Sequence, residues 1–105
     1  MLEKIKKCFV EDRALYTKHA KIEMETEEFG EISEKEVFQS VQSGEVIEEY
    51  PDAEPYPCCL IYGRTKSNRP IHSVCAYSAE DDLAIVVTVY EPDVKKWIDY
   101  RRKVK

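Results

Sequence analysis

What this chain lacks excludes several classes at once. No run approaches the roughly 18 apolar residues of a membrane-spanning helix, and Met1-Leu2-Glu3-Lys4 leads into charge rather than into an apolar signal core. A cytoplasmic protein with no membrane partner is therefore expected. No C-x-x-C pair is present. Cys8, Cys58, Cys59 and Cys75 include one adjacent pair and one residue inside a strand-like run, so buried or half-buried thiols are expected rather than a zinc site or a disulfide framework. Internal repeats and low-complexity segments are also missing, and 105 residues, 43% of them hydrophobic, suit a single domain over 1–105 with one modest core.

Positive charge is scarce in one region only. Residues 23 to 54 hold twelve of the 21 acidic side chains, with Lys35 as the single basic one. The remainder carries 15 basic against 9 acidic side chains, so a chain of net charge −5 still has a basic portion able to hold phosphate. Two readings of the acidic arm stay open: a face for a basic partner, or an ordinary solvated surface.

What is present is organised around residues 68–93. Two β-branched, aromatic-rich runs, 70–78 and 82–91, flank a short polar loop and predict an antiparallel hairpin. Residues 83–90 are apolar on both alternating faces, which predicts a central strand covered on both sides. Pairing Ser78 with Ala84 leaves a five-residue loop and sets His72 opposite Tyr90. Pairing Arg64 with Pro70 across the turn 65–68 sets Tyr62 opposite His72 from the other side.

Upstream, Leu2, Ile5, Cys8 and Phe9 recur at helical spacing and predict a helix over 2–12. Thr17 caps a second helix ending near Glu28, with Tyr16, Ala20 and Met24 in an apolar line and His19 in the first turn. Ser33-Glu34-Lys35-Glu36 is a capping box for a third helix over 34–43, stapled by Ile32 and Val37, buried along Val37, Phe38 and Val41, and stopped by a left-handed Gly44. Glu45 to Tyr50 reads as an edge strand whose glutamates discourage intermolecular pairing, Pro51 to Pro57 as an exposed loop, and 58–64 as a further strand. Pro92 suits the start of a last helix with Val94, Trp97, Ile98 and Arg101 inward and Arg101, Arg102, Lys103 and Lys105 in its last turn. The expected class is α+β: N-terminal helices on one face of a four-stranded, mainly antiparallel sheet, with a C-terminal helix.

Several segments then jointly resemble a known family. They are Thr17-Lys-His-Ala20, Ile32-Ser-Glu-Lys-Glu-Val37, Gly44-Glu-Val-Ile-Glu-Glu-Tyr-Pro51, Leu60-Ile-Tyr-Gly-Arg64, Arg69-Pro-Ile-His72, and Val87-Thr-Val-Tyr-Glu-Pro-Asp93 with Trp97. The pattern resembles an uncharacterised family of bacterial and archaeal proteins, a domain of unknown function grouped with the RelE/ParE toxin superfamily, from about Leu15 to Trp97. The resemblance implies a RelE/ParE-toxin-like fold, a type II toxin-like endoribonuclease acting on mRNA or ribosome-bound RNA, and an antitoxin as partner. One departure is visible: Glu23, Glu25 and Glu27 stand where the family often carries arginine.

RNA cleavage of this kind needs no metal or cofactor. A 2′-hydroxyl attacks the neighbouring phosphate, a base takes its proton, an acid protonates the leaving oxygen, and cations stabilise the added charge. His72, Arg64 and Tyr90 are the catalytic candidates, joined by His19, since a neutral base suits a helix start. Tyr62, Arg69, Arg101, Arg102 and Lys103 are candidates for RNA contact, and Tyr56 for stacking on a base. A second reading stands beside this one: the histidine and tyrosines close a core through hydrogen bonds, Trp97 anchors the last element, and the protein is a non-catalytic interaction module or a degenerate toxin.

Overall fold

The computed structural model describes residues 1–104. Three helices, α1 (Leu2–Val10), α2 (Lys18–Thr26) and α3 (Glu34–Gln42), pack on one face of a five-stranded sheet. Its strands are β1 (Ala14–Tyr16), β2 (Glu45–Tyr50), β3 (Cys58–Arg64), β4 (Pro70–Ser78) and β5 (Leu83–Tyr90), in the spatial order β1-β5-β4-β3-β2. All pairings are antiparallel except β1 with β5. The core between the layers joins Ile5, Cys8 and Phe9 of α1, Ala20 and Met24 of α2, and Val37 and Val41 of α3 to Ile61, Ile71, Cys75, Val86 and Val89 of the sheet. No helix among the described residues is long and apolar enough to cross a membrane.

The local signals hold where a side chain closes its own backbone. Thr17 Oγ1 accepts from the Ala20 N–H at 3.0 Å and caps α2. Ser33 and Glu36 form the full capping box, with the Glu36 N–H donating to Ser33 Oγ at 3.1 Å and the Ser33 N–H to Glu36 Oε1 at 3.0 Å. Gly44, however, is not left-handed; the α3 cap is Ser43 at φ −90°, and Gly30 is the glycine with positive φ. Gly44 is needed for space, because a Cβ there would meet Ile61 Cγ2 at 2.6 Å and the Ser40 carbonyl at 2.7 Å. Phe38 is half exposed and lies edge-on to Phe9, whereas Ser40 is buried, since only a small residue lets α3 approach β3 so closely.

The strand registers around His72 are as expected: Tyr62 faces His72, His72 faces Tyr90, and Arg64 faces Pro70. A bulge between Val74 and Cys75 shifts the far end by one, so Ser78 pairs with Leu83 rather than Ala84.

The sheet has five strands rather than four because β1, only three residues long, carries no alternation from which to read it. It runs parallel to β5, pairing Ala14 with Ala84 and Tyr16 with Val86. Beyond it, side chains continue the seal on β5. The Thr17 N–H donates to the Val86 carbonyl at 3.0 Å and its hydroxyl to the Val87 carbonyl at 3.2 Å. Glu23 then accepts from the Val89 N–H at 3.1 Å, and Glu27 from the Glu91 N–H at 2.9 Å. Two glutamates of the acidic arm, Glu23 on α2 and Glu27 just after it, thus act as backbone caps of a strand edge.

Among the described residues the expected C-terminal helix is absent. Residues after Asp93 make one turn and then a small hairpin, β6 (Trp97–Ile98) against β7 (Arg102–Lys103), with Asp99 and Tyr100 both left-handed at its tip. Val94 and Ile98 are exposed, while Trp97 is buried as expected. The hairpin wins because it brings both the Trp97 ring and the Tyr100 carbonyl onto His72. In a helix that carbonyl would point along the axis to its own backbone. Lys105, expected in the last helical turn, lies outside the described residues.

Candidate functional site

His72 is fully buried on the sheet face opposite the helices, beneath the C-terminal hairpin. The Trp97 ring stands edge-on at 4.4 Å between centroids, Tyr90 at 5.2 Å and Tyr62 at 5.8 Å. Both ring nitrogens are engaged. The Tyr100 carbonyl lies 2.5 Å from Nε2 and can only accept, so Nε2 carries the proton. Nδ1 therefore accepts from the Tyr90 hydroxyl at 3.1 Å. Burial pushes the imidazole pKa down to about 4, against the raising effect of the Tyr100 carbonyl, and pushes the Tyr90 phenol up to about 12. Tyr62, Arg64, His72 and Tyr90, expected at one end of the sheet, are thus together there, with the three rings in contact and Arg64 beside Tyr62, but His72 is a neutral post joining β4, β5 and the hairpin.

That state has a pH signature. A base whose folded pKa is depressed leaves the unfolded chain binding more protons, so its contribution is fully present above about 6.5 and is lost as pH falls towards about 4. Wild-type stability should fall over that window by on the order of 3 kcal/mol more than that of His72→Gln, as read from urea denaturation at successive pH values. Parallel profiles would mean that folding leaves the His72 pKa unshifted.

Arg69, a candidate for RNA contact, is committed elsewhere. Its guanidinium donates to Glu91 Oε1 at 2.6 Å, to Glu36 Oε2 at 3.1 Å, to the Glu31 carbonyl at 2.9 Å and to the Gly30 carbonyl. One planar group thereby ties the α2–α3 loop, the start of α3 and the end of β5 together. Arg69→Ala should lower stability by about 2 kcal/mol, below the full value for a buried ion pair because the partners are partly exposed. Arg69→Lys should recover only part, as an ammonium cannot span these acceptors; equal midpoints for Lys and Arg in chemical denaturation would reject the clasp.

His19 is exposed on α2 with Nε2 3.3 Å from Glu23, and no hydrogen bond or ion pair connects it to Arg64, His72 or Tyr90. Tyr56 lies in the proline loop, with its carbonyl facing the Cys58 thiol. Arg102 and Lys103 are exposed on β7, Lys103 lying 5.8 Å from the Trp97 ring centroid.

Beside this cluster two arginines lie over the ring of Tyr62, which is itself buried. The Arg64 guanidinium carbon lies 5.9 Å from the Tyr62 ring centroid and 5.2 Å from that of Tyr100, and Arg101 lies 4.9 Å from Tyr62. Ser43, Glu45, Gly63 and these three residues line a cleft of about 230 Å³. Arg64 is held by the Asn68 carbonyl at 3.0 Å, and Arg101 donates to Glu45, a hydrogen bond that, with the carboxylate's charge, raises the guanidinium pKa further. Glu45 and Arg101 remain about half exposed, at 51% each. The cleft thus offers two cations for a phosphate, one accessible carboxylate and an aromatic floor. Glu45, Ser43 and Tyr100 were not among the candidates, although the β2–β3 register, with Glu45 opposite Tyr62, carries the signal for Glu45. Among the described residues no group of three or more His, Cys, Asp or Glu is placed to hold a metal ion.

No curated protein and no solved structure matches the chain. One family, described as "Domain of unknown function (DUF4258)", matches residues 16–91, a span that holds Glu45, Tyr62, Arg64, Arg69, His72 and Tyr90 and stops short of Trp97 and Arg101. With well over half its length matched, the chain belongs to the DUF4258 family of domains of unknown function.

Proposed function

We propose that this protein is a cytoplasmic RelE/ParE-like, type II toxin-like protein that binds RNA at the Arg64–Arg101 cleft and cleaves it without metal. One observation carries the reading: two guanidinium groups converge on Tyr62 beside the half-exposed carboxylate of Glu45, in a cleft open to a polyanion. A phosphate displaces Glu45 from Arg101 and bridges both arginines, which then stabilise the charge that builds up as the 2′-oxygen attacks. Glu45, released, takes the 2′-hydroxyl proton, and water, which the open cleft admits, returns one to the leaving 5′-oxygen. Arg102 and Lys103 extend the positive surface along the hairpin. His72 holds the hairpin, and with it Arg101, in place.

The test uses a fluorescent single-stranded RNA, with and without ribosomes, in the presence of a chelator. Cleavage should leave a 2′,3′-cyclic phosphate and should stop when the scissile nucleotide lacks its 2′-hydroxyl. Arg64→Ala with Arg101→Ala should weaken binding and flatten its salt dependence by about two counterions. One observation favours the non-catalytic alternative, a binding module or degenerate toxin: in the resting cleft Glu45 is already paired. That reading predicts binding without any product under every condition.

A further inference from the structure

The two edges of the sheet are treated differently. The β5 edge is sealed by β1, Thr17, Glu23 and Glu27. The β2 edge is left open: among the described residues, no backbone hydrogen bond outside the β2–β3 ladder reaches Glu45–Glu49, and neither Glu48 nor Glu49 joins an ion pair. Unpaired strand edges are templates for another strand, and natural proteins ordinarily block them.

We propose that β2 accepts an extended segment of a basic partner protein as a sixth strand. Charge defines the partner. Glu45, Glu48, Glu49, Asp52 and Glu54 fall within ten residues that contain no lysine or arginine, and among the described residues the one cation paired with them, Arg101, is bound by Glu45. Register defines its pattern. Glu45 and Glu48, three positions apart because Ile47 bulges out of the ladder, sit opposite Tyr62 and Leu60 on the face away from the helices, so the side chains that an added strand turns to that face meet carboxylates. Val46 and Glu49 sit opposite Ile61 and Cys59 on the helix face, beside a cleft of about 340 Å³ also lined by Met1, Leu2, Pro51 and Cys58. The other alternate residues are therefore apolar and enter that cleft. This is recognition by strand addition, with backbone bonds for affinity and side-chain pockets for selectivity.

A second copy of the chain does not fit, because β2 against β2 sets glutamates against glutamates. RNA is repelled by the same charges. The edge and the arginine cleft share Glu45, but Glu48 and Glu49 lie outside the cleft lining, so those two residues test the edge on its own.

The probe is a fluorescein-labelled eight-residue peptide alternating lysine and valine, titrated by anisotropy with hydrogen exchange followed on the protein. It should bind and slow exchange at β2 amides. Exchanging its lysines for glutamate should weaken binding at least tenfold, as should Glu48→Lys with Glu49→Lys in the protein, a pair that leaves RNA binding intact. Of two peptides N-methylated on alternate residues, one should lose at least tenfold and the other bind as before, since only one set of amides faces β2. Failure to bind at millimolar concentration, equal binding of the glutamate peptide, indifference to both methylation patterns, or protection confined to other elements would each overturn the proposal.

Discussion

Gly63→Ala should lose about 4 kcal/mol of stability, enough to leave a domain of this size largely unfolded on mild warming. The cause is space and not backbone conformation, since Gly63 is not among the residues of positive φ. A Cβ at this position would stand 1.7 Å from the Ser40 carbonyl oxygen, 2.6 Å from the Ser40 carbonyl carbon and 3.1 Å from Gly44 Cα. All three are backbone atoms, so no side chain can turn aside. Accommodating one methyl would lift α3 from β3, and with it the buried Val37 and Val41. Circular dichroism during thermal unfolding would measure the loss; a midpoint within a few degrees of wild type would mean that the α3–β3 approach is looser than described. The consequence reaches the cleft, because Gly63 lies between Tyr62 and Arg64 and sets both against α3.

The second large effect is on chemistry. Under the proposed mechanism Glu45→Gln keeps size and polarity but removes the proton acceptor, so cleavage per folded molecule should fall roughly 10² to 10⁴-fold. RNA binding should be retained or strengthened, because a competing negative charge leaves the two arginines. Stability should change by no more than about 0.5 kcal/mol, as expected for an exposed ion pair. His72→Gln should show the opposite pattern, a lower unfolding midpoint with nearly unchanged cleavage per folded molecule. Loss of activity in His72→Gln with Glu45→Gln fully active would return the catalytic role to the histidine.

Much of this architecture is legible in residue order. The capping box at Ser33 and the cap at Thr17 are local, so a few adjacent residues specify them. The β3–β4 and β4–β5 registers beside His72 follow from the spacing of strands around short turns. What escapes is decided by contacts between distant residues. Strand β1 exists because β5 offers an edge some seventy positions away, and its three residues carry no periodicity. The C-terminal segment has helical spacing at Val94, Trp97 and Ile98, yet the buried imidazole of His72 needs a carbonyl acceptor, and a hairpin supplies one through Tyr100. The site is read by the same rule. Tyr62, Arg64, His72 and Tyr90 share a sheet end as their spacing predicts, but whether a side chain is a post or a reactant depends on what covers it. Trp97 and Tyr100 cover His72; nothing among the described residues covers Glu45 and Arg101 to the same degree. Arg69 teaches the converse, since a basic residue beside a predicted site proves to hold three segments together.

The most direct measurement is an amide chemical-shift map of the protein titrated with a short single-stranded oligoribonucleotide at low salt. The account predicts that the largest changes fall on Ser43, Glu45, Tyr62, Gly63, Arg64 and Arg101, and that they vanish in the Arg64→Ala, Arg101→Ala double variant while the remaining spectrum stays folded. Shifts centred elsewhere, or a cleft silent at saturating RNA, would contradict it.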